Sequence, residues 1–547
     1  MTIDRRGFLK ATAAQAAMLG VGAAGCSKRH PGAAAISRGV NPFRHGVASG
    51  DPLADRVILW TRVSPFDDRV GEPVETHWWI ARDSLGLDVV AGGTAEARPE
   101  RDYTVKIDAT GLEAGTDYYY GFLTQTGLSS VGRTRTLPQE GVDHVRMAFA
   151  SCANYPAGFF NAYACLAGRE DIDVVLHLGD YLYEYGNGEY GDGTPLGRIP
   201  DPLHEVLTLE DYRRRHATYK ADVDLQAAHA RFPWITIWDD HETANNSYPE
   251  GAKNHDPATE GDWQVRKLAG IRAYYEWMPI RELPTGLFRT FRFGDLVDLV
   301  MLDTRLHGRD PEVEPGDEVA ASDPSRTLLG EDQRGWLLDA LSDSQRAGSA
   351  WRVIGQQIMF APVSFGTLEF NPDSWHGYRA SRARVLDHLE AEGIDNVVFL
   401  TGDVHSSWVF DIPAPPHAEQ PYDPATGAGS RAVEFVGPAV SSPPLAESRG
   451  WDPRQERTLE RTPHLKYLNA DEQGFVILDV MRDRVRAEYI YTGSAKVHSR
   501  TSRCAAVFEA KSGTNRVERV EQDGCASGPV ASVASVARAV DVQGRDG

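Results

Sequence analysis

The stretch Asp173-Val174-Val175-Leu176-His177-Leu178-Gly179-Asp180-Tyr181-Leu182-Tyr183 decides the fold. Its first half is a short run dominated by Val and Leu, the pattern of a strand buried on both faces. Gly179 then breaks the run, and a carboxylate and phenols follow at once. Three other apolar runs stop in the same way. Val145–Ala150 stops at Ser151-Cys152-Ala153-Asn154, and Trp234–Trp238 at Asp239-Asp240-His241-Glu242, with Asn245-Asn246 just beyond. Asn396–Leu400 stops at Thr401-Gly402-Asp403-Val404-His405. Sites in α/β sheets assemble at the carboxyl ends of strands, so these loops are expected to converge. One Asp or His at a strand end merely caps the next helix. Four strand ends offering thiolate, phenolate, carboxylate, amide and imidazole read as a metal cluster instead. Hard oxygen donors suit calcium, magnesium or ferric iron, whereas thiolate and imidazole suit iron or zinc, so the mixture implies more than one metal.

Working outward, further apolar runs lie at Leu296–Leu302, Trp351–Ile358, Ala432–Val436, Phe475–Val480 and Arg484–Tyr491. They alternate with helical stretches, which predicts α/β layering. One helix is expected over Leu209–Ala230, opened by a Thr208/Asp211 capping box. Upstream the texture changes. Val57–Arg62, Val74–Ala81, Leu87–Thr94, Tyr103–Asp108, Asp117–Thr124 and Val131–Thr136 read as short strands between turns, an antiparallel sandwich of fibronectin or Ig type. The segment Leu112–Tyr120 resembles the turn at which a tyrosine pins the corner of such modules. Leu137–Gly141 reads as a linker.

The chain has 547 residues, too many for one core, and its 57 basic and 78 acidic side chains give a net charge of -21. That balance argues against a nucleic-acid partner. It also means that a phosphate site needs cations of its own. Five cysteines are too few for a disulfide framework. Cys504 and Cys525 could pair or stay free, and Cys165 reads as a buried small hydrophobe. Residues 526–547 read as a loose tail.

At the other end, Arg5-Arg6-Gly7-Phe8-Leu9-Lys10 precedes an Ala/Gly-rich apolar run, which looks like a twin-arginine signal over residues 1–30. The run is too short and too alanine-rich to span a bilayer. Ala23-Ala24-Gly25-Cys26 resembles a lipoprotein processing site; either Cys26 is acylated or cleavage falls nearby and it has no role. Export to the periplasm or beyond, with or without a lipid anchor at Cys26, is the expectation.

Taken in order, Ser151-Cys152-Ala153-Asn154, His177–Gly186, Trp238–Glu242, Leu302-Asp303-Thr304-Arg305 and Gly402–Trp408 resemble the blocks of the alkaline phosphatase D (PhoD-like) family of metallophosphoesterases. Asn41–Pro52 resembles its N-terminal signature, and the likeness runs from about Asn41 to about Tyr491. It implies a layered metallophosphoesterase-type β-sandwich core flanked by helices over 144–510, preceded by a small all-β sandwich over 41–138. It also implies a secreted phosphomonoesterase or phosphodiesterase with one ferric ion and one or two calcium ions beside it. Carried over by position, Cys152, Asp180, Tyr183 and His405 hold the iron, and Asp180 bridges to calcium with Asp240, Asn245 and Asp403. A thiolate with a phenolate keeps iron trivalent, a redox-inert Lewis acid.

The implied reaction is in-line hydrolysis of a phosphate ester by a hydroxide activated on the metal. His241 is the candidate to protonate the leaving group. Arg305 could grip a phosphate oxygen through its fork of donors, or pair with Asp303. Asn154 could touch a metal, a phosphate or only its own turn. Gln356-Gln357 ends a strand where a histidine often stands, and the amide pair fits calcium better than a transition metal. Tyr181 and Tyr185 read as packing or pocket walls, and His45, His77 and His144 as ordinary. Glu184–Asp201 reads as an acidic loop near the site that could also bind a surface calcium, and Arg309–Ser325 as another acidic loop, of the kind that often sets substrate range.

The partners expected are small phosphate esters and the twin-arginine export machinery. Two alternatives remain open: a phospholipase D-like phosphodiesterase acting on phospholipid headgroups, and a binding protein with a degenerate site. The full set of ligand residues counts against the second.

Overall fold

Short, fully buried strands such as Val174–His177 and Pro233–Thr236 need cover on both faces, and the computed structural model supplies it with a second sheet and with helices. The structure describes residues 40–66, 69–284, 286–363, 371–414, 421–449, 462–521 and 525. The signal expected over 1–30, with Cys26, and the tail 526–547 lie outside the described residues.

The larger sheet has ten strands. At its centre His144–Ala150, Val174–His177 and Pro233–Thr236 run parallel, and Gly474–Met481, Arg484–Thr492, Ser502–Lys511 and Val517–Val520 extend it antiparallel on one side. The second sheet has seven strands around a parallel core of Val297–Met301, Trp351–Gln356, Val397–Thr401 and Ser430–Val436. Their inner faces share one core, in which Met147, Val175 and Ile477 meet Leu299, Val353 and Val398. Alternate residues of the seven-stranded sheet, such as Ile354 and Phe399, point outward. They pack under the helices Gly330–Arg346 and Arg379–Ala391 through Leu337, Leu341 and Leu386. The core is the helix-flanked sandwich that was expected.

The N-terminal strands also form two facing layers, but one layer is not separate. Val74–Ala81, Val89–Ala97, Asp117–Thr124, Gly127–Leu128 and Gly132–Arg135 make a five-stranded sheet. Val47–Gly50, Arg56–Arg62 and Thr104–Thr110 instead continue the ten-stranded sheet, with Ser49 opposite Pro233 and Gly50 opposite Trp234. The N-terminal module is therefore fused to the larger one through shared backbone hydrogen bonds. The tyrosine corner is present, the Glu113 N–H donating to Tyr118 Oη at 2.9 Å.

Two expectations on element boundaries change. The helix over Leu209–Ala230 is two helices, Leu209–Lys220 and Val223–Arg231. Asp222 breaks it, because its carboxylate accepts from the N–H groups of Asp224 and Leu225 and so starts a new helix. The Thr208/Asp211 capping box holds. The sheet also runs past 510 to Val520, and Cys504 is joined to Cys525. No helix among the described residues is long and apolar enough to cross a membrane.

Candidate metal centre

The ends of the central strands are tied to one another by backbone hydrogen bonds. The Cys152 N–H donates to Gly179 O at 3.2 Å and the Ala153 N–H to Asp180 O at 2.8 Å. Gly179 has φ 103°, and a Cβ there would lie 2.3 Å from Asp239 Cβ, so only glycine lets the Asp180 and Asp239 loops approach. Glu242 locks the same two loops. Its carboxylate accepts from the N–H groups of Asp239 at 2.7 Å, Tyr181 at 2.6 Å and Asp180 at 3.1 Å.

Backbone strain gathers at this spot. Cys152 (φ 62°), Asp180 (55°), Asn246 (53°), Asp403 (62°) and His405 (54°) all lie in the left-handed region. Such conformations cost about 1–3 kcal/mol each and persist where surrounding structure imposes them. Here they aim side chains inward. The Cys152 thiol, an Asp180 oxygen and a His405 ring nitrogen lie within 4.8 Å of one another. Tyr183 Oη is 2.9 Å from Asp180 Oδ2 and 3.0 Å from His405 Nε2, and Ser442 donates to it at 2.8 Å. Two further groups adjoin under the same 4.8 Å limit, Asp180–Asp240–His241 and Asp239–Asp240–Asp403.

The electrostatics are those of a crowded anionic cage in which Arg305 and His241 are the cationic side chains set against the carboxylates. Burial pushes the Cys152 thiol and the Tyr183 phenol well up, with neighbouring Asp180 adding to both. Burial also raises Asp180, against the pull of His241, and Asp240 and Asp239 raise it further. Asp403 is raised by burial and by Asp239 and Asp373. Burial brings Asp239 to about 7 although Arg305 opposes it. Asp240 goes the other way: burial works against its charge, but Arg305 and His241 outweigh it and hold it low.

Asp180 Oδ1 and Asp239 Oδ2 are buried with no hydrogen-bond partner. Orphaned carboxylate oxygens of this kind are costly unless a cation meets them. With thiol, phenol and imidazole alongside, the donor set fits a transition-metal ion with harder cations next to it.

His241 is nearly buried, and its Nδ1 is 2.7 Å from Glu184 Oε2. Burial disfavours its charge, yet Glu184, Asp240 and Asp180 pull its pKa well above the usual value. The Tyr183 ring packs against it at 4.2 Å between centroids.

The remaining expected residues make other contacts. The Arg305 side chain is fully buried and its fork is taken up by carboxylates. Nε meets Asp239, Nη1 lies 2.6 Å from Asp373 and Nη2 3.2 Å from Asp403. Each guanidinium nitrogen of Arg305 thus faces a carboxylate of the protein itself, and toward Asp303 it gives its backbone N–H rather than its side chain.

Asn245 turns its amide toward Asn254 at 3.3 Å and gives its backbone N–H to Glu184. The neighbouring Asn246 N–H is the one that reaches Asp240, at 2.6 Å. Asn154 donates to Tyr190 O at 2.8 Å and leaves its buried Oδ1 unpartnered. Gln356 and Gln357 are not cation-facing: their side chains are satisfied internally by Trp375, Thr401, Thr304 and Leu302. Sequence reading quoted Glu184, Asp239 and Glu242 inside its motifs but gave them no role of their own, and it gave none to Tyr190, inside the acidic loop Glu184–Asp201, or to Asp373. For the first four, membership of a motif or its flanking loop was the available signal; Asp373 had none.

A family model described as PhoD-like phosphatase matches residues 147–489, and one for the PhoD-like phosphatase N-terminal domain matches 27–138. Alkaline phosphatase D of Bacillus subtilis (strain 168) is 39% identical over 509 residues, covering 89% of this chain and 84% of that protein. A solved structure titled as that of PhoD superposes with a TM-score of 0.80 at 36% identity, over 89% of this chain and 94% of the other. With two strand-built modules in the same order and a cage of thiol, phenol, carboxylate and imidazole at the strand ends, the chain belongs to the PhoD-like phosphatase family, a family of phosphoester hydrolases.

Proposed function

We propose that this protein is an exported, metal-dependent phosphoesterase that releases phosphate from small mono- or diesters. The observation that carries the proposal is the convergence of Cys152, Asp180, Tyr183 and His405 around an unpartnered carboxylate oxygen, Asp180 Oδ1. Those four residues would hold one ferric ion, and Asp180, Asp240 and Asp403, with Asp239 beside them, would hold one or two calcium ions. Bound cations there supply Lewis acidity, which acidifies water and offsets charge on phosphoryl oxygens.

The remaining work falls to the chain itself. Arg305 holds Asp239, Asp373 and Asp403 in place as a fixed internal cation. Glu184 occupies Nδ1 of His241, which leaves Nε2 as the nitrogen that gives a proton to the departing alkoxide. The twin-arginine stretch Arg5-Arg6 and its apolar run support export, and Cys26 is a candidate lipid attachment point.

Elemental analysis of protein purified from its export host without chelator, paired with hydrolysis of aryl phosphate mono- and diesters and of phosphatidylcholine, tests this reading. Iron and calcium with turnover of the aryl esters are expected. Absence of metal and of hydrolysis would reject it, and turnover of phosphatidylcholine alone would favour the phospholipid reading.

A further inference from the structure

The glycine-rich loop 186–197 sends one side chain over the cluster, Tyr190. Its ring lies close to four others: Tyr185 at 5.5 Å, Tyr183 at 5.8 Å, His405 at 6.2 Å and His241 at 6.4 Å between centroids. Its hydroxyl is 3.1 Å from His405 Nδ1. Its carbonyl accepts from Asn154 Nδ2 at 2.8 Å, so the residue is anchored through both its backbone and its side chain. The loop is held in turn, the Gly188 N–H donating to Gly191 O at 2.9 Å and the Gly193 N–H to Asn187 Oδ1 at 2.9 Å.

His405 follows a short, strained link from Asp403, and φ 54° alone leaves its ring free to turn about the side-chain torsions. What fixes the ring is its two ends. Nε2 lies 3.0 Å from Tyr183 Oη, inside the cluster, and Nδ1 faces Tyr190. A hydrogen on Nδ1, donated to the phenol oxygen of Tyr190, places the lone pair on Nε2, the tautomer a metal ion requires.

We propose that Tyr190 is a positioning residue. Through it the loop 186–197 acts as a strap that selects the tautomer and orientation of His405 and so sets how tightly the centre retains a transition-metal ion. The inference rests on the metal-centre reading above, and the same experiment separates the two.

Wild-type protein and Tyr190→Phe are purified from the export host without chelator, and metal per chain is measured along a chelator titration. Thermal unfolding of the stripped forms is followed in parallel. Tyr190→Phe keeps the ring and its packing and deletes only the hydroxyl. Loss of an orienting partner of a ligand histidine typically costs 10–100-fold in affinity. Tyr190→Phe should therefore release its metal at about tenfold lower chelator or less. The stripped forms should unfold at the same temperature.

Equal retention in the two proteins overturns the role of Tyr190 and leaves the metal centre standing. A wild-type protein that holds no transition metal overturns both. If Tyr190→Phe does not fold, Asn154→Ala, which frees the other end of the strap, is read in the same way: earlier release supports the strap and unchanged release overturns it.

Discussion

Glu184 and His241, 57 positions apart, form a buried pair in which Glu184 Oε2 lies 2.7 Å from His241 Nδ1. The other Glu184 oxygen accepts from the Asn245 N–H at 2.7 Å, so the carboxylate is fixed and cannot swing away. Glu184→Gln retains a hydrogen-bonding partner for the ring but removes the charge that favours imidazolium. If His241 protonates the leaving group, alkyl phosphates, whose alkoxides are strongly basic, should lose about 10²-fold in kcat, the lower end for general-acid contributions. p-Nitrophenyl phosphate, whose leaving group needs no proton, should lose far less. Equal losses on the two substrates would rule out proton delivery by His241.

Cys152 is buried beside Asp180, where burial and that carboxylate raise its thiol well above the usual value. A bound cation reverses this preference by favouring the thiolate. Cys152→Ala should therefore lose iron and activity together, read by elemental analysis and ester hydrolysis on the same sample. Wild-type values of both would remove Cys152 from the ligand set.

Gly50 lies where the N-terminal strand Val47–Gly50 meets Pro233–Thr236. A Cβ there would come within 2.3 Å of Pro279 O and 2.5 Å of Trp234 O, both backbone atoms that cannot yield easily. Gly50→Ala should destabilise the whole protein by about 1–3 kcal/mol, the usual cost of overpacking. Because the sheet is continuous, denaturant unfolding should remain one transition at lower midpoint. A separate early transition of the N-terminal module would contradict the fused sheet.

His464, whose Nε2 bonds Pro362 O at 2.8 Å, has its pKa lowered from 6.5 to about 4, chiefly by burial, with Arg382 and Lys466 adding and the Pro362 carbonyl opposing. Between those values the unfolded chain binds a proton that the folded chain refuses. Stability from this group is therefore complete above pH 6.5 and declines as pH falls toward 4. His464→Gln, which keeps a donor for the carbonyl, should flatten the decline in unfolding free energy between pH 6.5 and 4. An unchanged slope would show that His464 does not contribute.

The site was legible in large part because its chemistry is local in the chain. Asp180 and Tyr183 stand three residues apart after one strand, and Asp403 and His405 two apart after another. A run of Val and Leu that ends in such groups announces both a buried strand and what its end presents. Arg305 was not legible, because its meaning depends on Asp239, Asp373 and Asp403, which lie 66 to 98 positions away. A guanidinium looks the same in sequence whether it faces a substrate or carboxylates of its own protein.

Alternating apolar runs and strand-end side chains are properties of neighbouring residues. From them the sequence alone determined the α/β layering, the upstream strands and which kinds of side chain the strand ends present. The tertiary structure decided which distant segments share a sheet, that Val47–Gly50 pairs with Pro233–Thr236, and that Glu184 faces His241 and Tyr190 faces His405. The reason is physical: a hydrogen bond or ion pair has no sequence signature when its partners approach only after the chain has closed loops of tens to hundreds of residues between them.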